Sequence, residues 1–149
     1  MPRTRITRAV GHLCDMPLPP VVSRAVVGVY ARAYNVAMHE AQLPHGADTY
    51  PSFDAFFTRG LQAGARSHDV PADVLVSPAD GRLDEQGSID DDGRITVKGR
   101  PYRTIDLLGD RDELARYRGG HFNVIYLSPR DYHRVHAPCA GTLCQVRSY

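Results

Sequence analysis

The spacing of apolar residues changes at Pro71, from helical steps before it to alternation after it. Between Val21 and about Ala41, the residues Val22, Ala25, Val26, Val29, Tyr30, Ala33, Val36 and Ala37 recur at three- and four-residue intervals. Arg24, Arg32, Asn35 and His39 fall mostly elsewhere on the wheel, which predicts an amphipathic helix with a wide valine-rich face. Pro19-Pro20 suits its first turn, and residues 1–16 read as a frayed basic lead-in. "LPHGADTYPS" is loop, and "SFDAFFTRGL" predicts a short helix capped by Ser52, with Phe53, Phe56, Phe57 and Leu61 on one side.

Beyond Pro71, "DVLVSPADGRLDEQGSI" and "GRITVKG" alternate short β-type runs with glycine-containing turns, and Arg94 to Lys98 is a period-two strand. A short helix is expected from Asp110 to Tyr117, with Asp110 as its cap and Glu113 reaching back. His121–Ser128 and Gly141–Arg147 read as further strands. The expected fold class is α+β: a helical N-terminal arm over residues 1–70, then a mostly antiparallel β-rich domain over residues 71–149. The β-rich part reads as truncated, because a strand pattern runs to the last residue with no visible partner.

Composition narrows the functional classes. A hydrophobic content of 42% with 23% charge suits a packed core rather than wholesale disorder. Eighteen basic against seventeen acidic residues leave +1, so global charge names no partner and no nucleic-acid partner is expected. One local asymmetry remains: Met1 to Tyr34 holds Arg3, Arg5, Arg8, Arg24 and Arg32 against the single acid Asp15, a composition suited to an anionic surface or to a solvated tail. Three cysteines, Cys14, Cys139 and Cys144, are too few and too odd for a disulfide framework and fit a reducing compartment. No signal-peptide pattern is visible, and the longest apolar run, Ala25 to Ala31, falls short of a membrane span.

Two stretches carry chemistry. "SPADG", Ser77 to Gly81, is a common way to reverse a chain, so Asp80 by itself is a turn residue. "DYHRVH" followed by "APC" admits three readings. His133, His136 and Cys139 have a spacing that could serve zinc, although Pro138 interrupts a helix there and no fourth ligand is obvious, so no metal is expected. Alternatively, the imidazoles do acid–base work, with a carboxylate such as Asp80 orienting one ring. In the third reading they satisfy backbone groups at a strand end. Spacing alone leaves these open.

"FFTRGLQAGAR", "SPADGRL", "VKGRPYRTIDLLG" and "YLSPRDYHRVHAPCAG" occur in this order, and together they resemble the phosphatidylserine decarboxylases, pyruvoyl-dependent enzymes of bacterial and mitochondrial membranes. The likeness runs from about Tyr30 to Val146. It implies conversion of phosphatidylserine to phosphatidylethanolamine and CO2. The proenzyme cleaves itself when a serine in a Gly-Ser motif attacks the preceding carbonyl; that serine becomes the covalent pyruvoyl cofactor of the small α-chain, and the substrate amine forms a Schiff base with it.

By position in their motifs, Asp80 and His136 correspond to the family's triad aspartate and histidine, and His133 to substrate handling and proton transfer. Arg134 and Tyr132 are candidates for substrate binding, Arg134 toward the lipid phosphate. The valine face, Val22, Val26 and Val29, either lies on the membrane or packs on the protein's own core. The implied partners are phosphatidylserine, a membrane surface and the pyruvoyl-bearing α-chain. Similar enzymes often form dimers, so a homodimer is expected, peripheral to the cytoplasmic face of the bacterial inner membrane. One departure is large: Gly87-Ser88 lies too early to be the processing motif, and no Leu-Gly-Ser-Thr-like sequence occurs elsewhere in the 149 residues. These residues are expected to be inactive alone, as the N-terminal portion of a proenzyme. The alternative is a non-catalytic membrane- or lipid-binding remnant.

Overall fold

The computed structural model describes residues 2–67, 69–109 and 111–146. The α+β class is observed, with helices concentrated toward the N-terminus and three antiparallel strand pairs. The chain divides into two compact units, a first built from residues 1–80 and 127–140, and a second from residues 81–126 and 141–149.

In the first unit, α1 (Pro2–Asp15) replaces the frayed lead-in expected from sequence. Ile6, Val10 and Leu13 recur at helical spacing along it, yet all three remain exposed. Helix α2 (Pro20–Tyr34) starts with proline in its first turn and ends at Asn35, whose left-handed φ of 55° closes the helix. It therefore stops well before Ala41, and a 3-10 turn, Met38–Glu40, follows. The core takes a face other than the valine stripe: Ser23, Val27 and Ala31 are buried on α2. Val22, Val26 and Val29 are exposed, Val29 at 68%.

Helix α3 (Phe53–Phe57) begins as the sequence predicts, the Ser52 hydroxyl accepting the Ala55 N–H at 3.1 Å. Phe56 is fully buried among Val27, Ala31, Val36 and Tyr50, with Tyr30 edge-on to it and Phe53 tilted against it. Leu61, expected beside the phenylalanines, lies instead in β2 (Gly60–Leu61), which pairs antiparallel with β1 (Ala41–Gln42).

The second unit pairs β3 (Arg82–Ser88) with β6 (His121–Tyr126), and β4 (Arg94–Val97) with β5 (Arg100–Arg103). The β4–β5 hairpin closes with two residues, Lys98 at φ 52° and Gly99 at φ 71°, the positive pair such a turn requires. Gly81 admits no side chain, since a Cβ there would meet the Tyr126 carbonyl oxygen at 2.6 Å. Two helices, α4 (Thr104–Leu108) and α5 (Arg111–Tyr117), link β5 to β6. The expected cap of α5, Asp110, lies outside the described residues. Residues 141–146 do not form the expected strand: they hold strand-type residues but join none of the three ladders. Arg147, at the end of that expected strand, also lies outside the described residues.

Candidate active site

The two chemistry-bearing motifs meet in the first unit. The Val76 N–H donates to the Pro138 carbonyl at 2.9 Å, and the His136 N–H to the Pro78 carbonyl at 2.7 Å. This short antiparallel bridge ties "SPADG" to the segment carrying the histidines. Asp80, Tyr132, Arg134 and His136 consequently line one cavity of about 470 Å³, with Gln62 and Arg66 among its other walls.

Each candidate is held differently. The His136 Nε2 lies 2.9 Å from the Tyr132 hydroxyl, either atom donating according to the tautomer, and the two rings stack with centroids 5.4 Å apart. Tyr132 is buried, so its hydroxyl fixes one imidazole edge inside the cavity. Asp80 is engaged by Arg66: Nε donates to Oδ1 at 3.1 Å and Nη2 to Oδ2 at 2.5 Å. The same Nη2 donates to Glu40 Oε2 at 2.9 Å, so one guanidinium joins two carboxylates.

The hydrogen bond to Asp80, followed by that to Glu40, raises the Arg66 pKa further, and the Arg66 hydrogen bond holds the Glu40 carboxyl below its ordinary value. About a third of the Arg66 side chain remains in water. Screening therefore makes the network a means of placing Asp80 more than a large source of stability.

His133 lies apart from that pair. Its ring stacks on Phe57 at 4.0 Å between centroids, and its Nε2 is buried without a hydrogen-bond partner. Burial pushes its pKa below the usual histidine range, while a hydrogen bond with the Ser128 backbone acts in the opposite direction. The ring is therefore neutral at neutral pH. Arg134 is exposed and its Nε donates to the Thr58 carbonyl at 2.8 Å.

Among the described residues, no three His, Cys, Asp or Glu side chains converge as metal ligands. Cys139, the third member of the zinc-like spacing, is an exposed free thiol. No helix among them is long and apolar enough to cross a membrane.

The sequence pattern marks no functional role for Arg59, Arg66, Glu40 or Phe57, the last being expected only on the apolar side of its helix. Three of them lie inside "FFTRGLQAGAR", so the signal was present as a motif, but their partners are distant in the chain.

A carboxylate and an imidazole thus line one cavity, while the second imidazole is held apart on Phe57. Comparison with known proteins identifies the family. Residues 53–149 match the family model described as phosphatidylserine decarboxylase, and the chain belongs to that family. It is 43% identical over 143 residues to a protein of Myxococcus xanthus named phosphatidylserine decarboxylase proenzyme, covering 96% of this chain and 50% of that relative. Relatives of the same name from Marinobacter nauticus and Azotobacter vinelandii are 42% and 40% identical, over 97% and 98% of this chain and 51% of each relative. The chain thus spans about half the length of the curated relatives it matches.

Proposed function

We propose that the chain carries the aspartate–histidine part of a self-processing phosphatidylserine decarboxylase, which acts once a serine-bearing C-terminal half is joined to it. The observation supporting this most directly is the backbone bridge between residues 76–78 and 136–138, which gives Asp80 and His136 a common cavity. In this reading Asp80, placed by Arg66, orients and stabilises the His136 imidazole as it takes up a proton. His136 accepts the proton of the attacking serine hydroxyl, and Tyr132 keeps its ring in place.

The residues fit a pyruvoyl group supplied by the other half but do not supply one themselves. Ser88 is exposed and paired with His121 in the β3–β6 ladder. Once in place, a pyruvoyl group supplies the electron sink for carbon–carbon cleavage. His133, neutral and with Nε2 uncommitted, takes a proton from the substrate ammonium and holds it for delivery after CO2 departs. Arg134 lines the cavity wall, and in this reading the donors left free by its bond to Thr58 take the lipid phosphate.

The test joins this chain in frame to the C-terminal half of the Myxococcus xanthus relative and follows conversion of phosphatidylserine to phosphatidylethanolamine. Product is expected. Correct folding and processing without product would favour the reading of a lipid-binding remnant.

The exposed face supports membrane docking. Val22, Val26 and Val29 on α2 and Ile6, Val10 and Leu13 on α1 leave two apolar stripes in water, with Arg5, Arg8 and Arg24 on the same helices. A surface helix that presents valine to solvent exposes area worth about 25 cal/mol per Å2 when covered. Val22, Val26 and Val29 changed together to serine should lower cosedimentation with vesicles containing phosphatidylserine by about tenfold. Undiminished binding would remove this face from the docking surface. This role would place the protein at the cytoplasmic face of the inner membrane, with phosphatidylserine as substrate and the α-chain as its complement.

A further inference from the structure

Among the described residues, four buried side-chain atoms lack a hydrogen-bond partner: Nε and Nη1 of Arg59, Oγ of Ser128 and Nε2 of His133. They belong to the segment 128–133 and to the guanidinium that braces its turn. Arg59 is only 4% exposed and forms no ion pair among the described residues, an expensive state for a cation. What it does hold is backbone. Its Nη2 donates to the Arg130 carbonyl at 3.1 Å and to the Asp131 carbonyl at 3.2 Å, fixing successive peptide planes just ahead of His133.

The rest of the turn is equally tied. The Tyr30 hydroxyl donates to the Pro129 carbonyl at 3.2 Å. The Ser128 N–H donates to Asp131 Oδ2 at 2.6 Å, and the Asp131 N–H to the Ser128 carbonyl at 2.9 Å. Beneath this turn, α3 offers consecutive aromatic faces: Phe56 lies 5.3 Å from the Arg59 guanidinium carbon, and Phe57 stacks on His133.

We propose that Arg59 is a positioning residue for His133, holding the 128–131 turn through the Arg130 and Asp131 carbonyls so that the imidazole stays stacked on Phe57 with Nε2 uncommitted. The proposal rests on the reading of His133 as the substrate's proton carrier. It also has an electrostatic consequence. Burial is the first influence lowering the His133 pKa; the Arg59 charge adds to it, whereas the Ser128 backbone bond and the Asp131 carboxylate oppose it. Arg59 and Asp131 are the charged groups bearing on the ring from the elements packed against it, the third neighbour being the uncharged Phe57.

The test is an NMR titration of histidine-labelled 149-residue chain, the His133 signal being assigned with His133→Gln. Arg59→Gln should raise the titration midpoint and weaken the ring-current shift that Phe57 imposes. Arg59→Lys should keep the midpoint near native, because the charge is retained. Asp131→Asn should lower the midpoint, a direction that unfolding cannot imitate, since release into water raises it. A folded Arg59→Gln chain with both midpoint and ring-current shift unchanged would overturn the proposal. If that variant does not fold, Arg59→Met, which keeps the aliphatic bulk but loses the charge and both carbonyl contacts, takes its place with the same two readouts and the same overturning result. The two readings fail separately. Full decarboxylation by His133→Gln in the joined proenzyme would remove the proton-carrier role, yet leave the dependence of the ring on Arg59 intact.

Discussion

His136→Ala, in a proenzyme made by joining this chain to a relative's C-terminal half, should migrate as one uncleaved band on a denaturing gel. A serine hydroxyl is a weak nucleophile near neutral pH and requires a base within hydrogen-bond reach. His136 is the imidazole that shares the cavity with Asp80, and its Nε2 already stands 2.9 Å from a hydroxyl, that of Tyr132. Removing the histidine of such a triad slows chemistry by roughly a thousandfold or more, which would exceed the time of any expression experiment. Tyr132→Phe provides the contrast, because it loses the hydroxyl that holds the ring but keeps the base. It should process slowly rather than fail. Normal cleavage of His136→Ala would assign the base elsewhere, with His133 then the nearest imidazole in the sequence to examine.

Much of the first unit was legible because its signals are local. Ser52 and the phenylalanines that follow specify a capped turn within a few residues, and the cap forms as expected. The valine periodicity specified a helix but not which face the core would take. Ser23, Val27 and Ala31 are buried because Ser23 Oγ reaches the Tyr50 carbonyl at 2.6 Å, a polar anchor that hydrophobic periodicity does not register. The helix end also escaped the pattern. Asn35 adopts the left-handed conformation and directs Val36 into the core, where apolar spacing alone extends the helix instead. For α1, its basic composition concealed an apolar stripe at Ile6, Val10 and Leu13.

The candidate site divides along the same line. Asp80, His133 and His136 could be singled out because their motifs are contiguous, and the bridge between residues 76–78 and 136–138 gives a physical reason for reading them together. The residues that place them could not be found so easily. Arg66 joins Glu40 to Asp80 across long stretches of chain, and Arg59 reaches carbonyls rather than side chains. A backbone acceptor has no residue identity, so no sequence pattern announces that contact.

Phe56→Ala should be the most destabilising single change in the chain, by about 3–5 kcal/mol. The ring is fully buried, and it carries three neighbours at once. Tyr30 and Tyr50 meet it edge-on at 5.7 and 5.5 Å, and the Arg59 guanidinium lies over it. Truncation removes the transfer energy of the ring, leaves a cavity between α2 and α3, and deprives a buried cation of its aromatic face. Domains of this kind are stable by only about 5–15 kcal/mol, so the loss is a large fraction of the total. Urea denaturation of the chain should show a much lower midpoint at an unchanged slope, whereas Leu143→Ala, at a side chain 81% exposed, should leave the midpoint within error. A cost below about 1 kcal/mol would mean that the core collapses around the missing ring. In the expected case, Phe56→Ala also loosens Arg59 before the chain unfolds. The His133 signal should then lose its stacking shift at a lower urea concentration than in the native chain, which links the core directly to the proposed proton carrier.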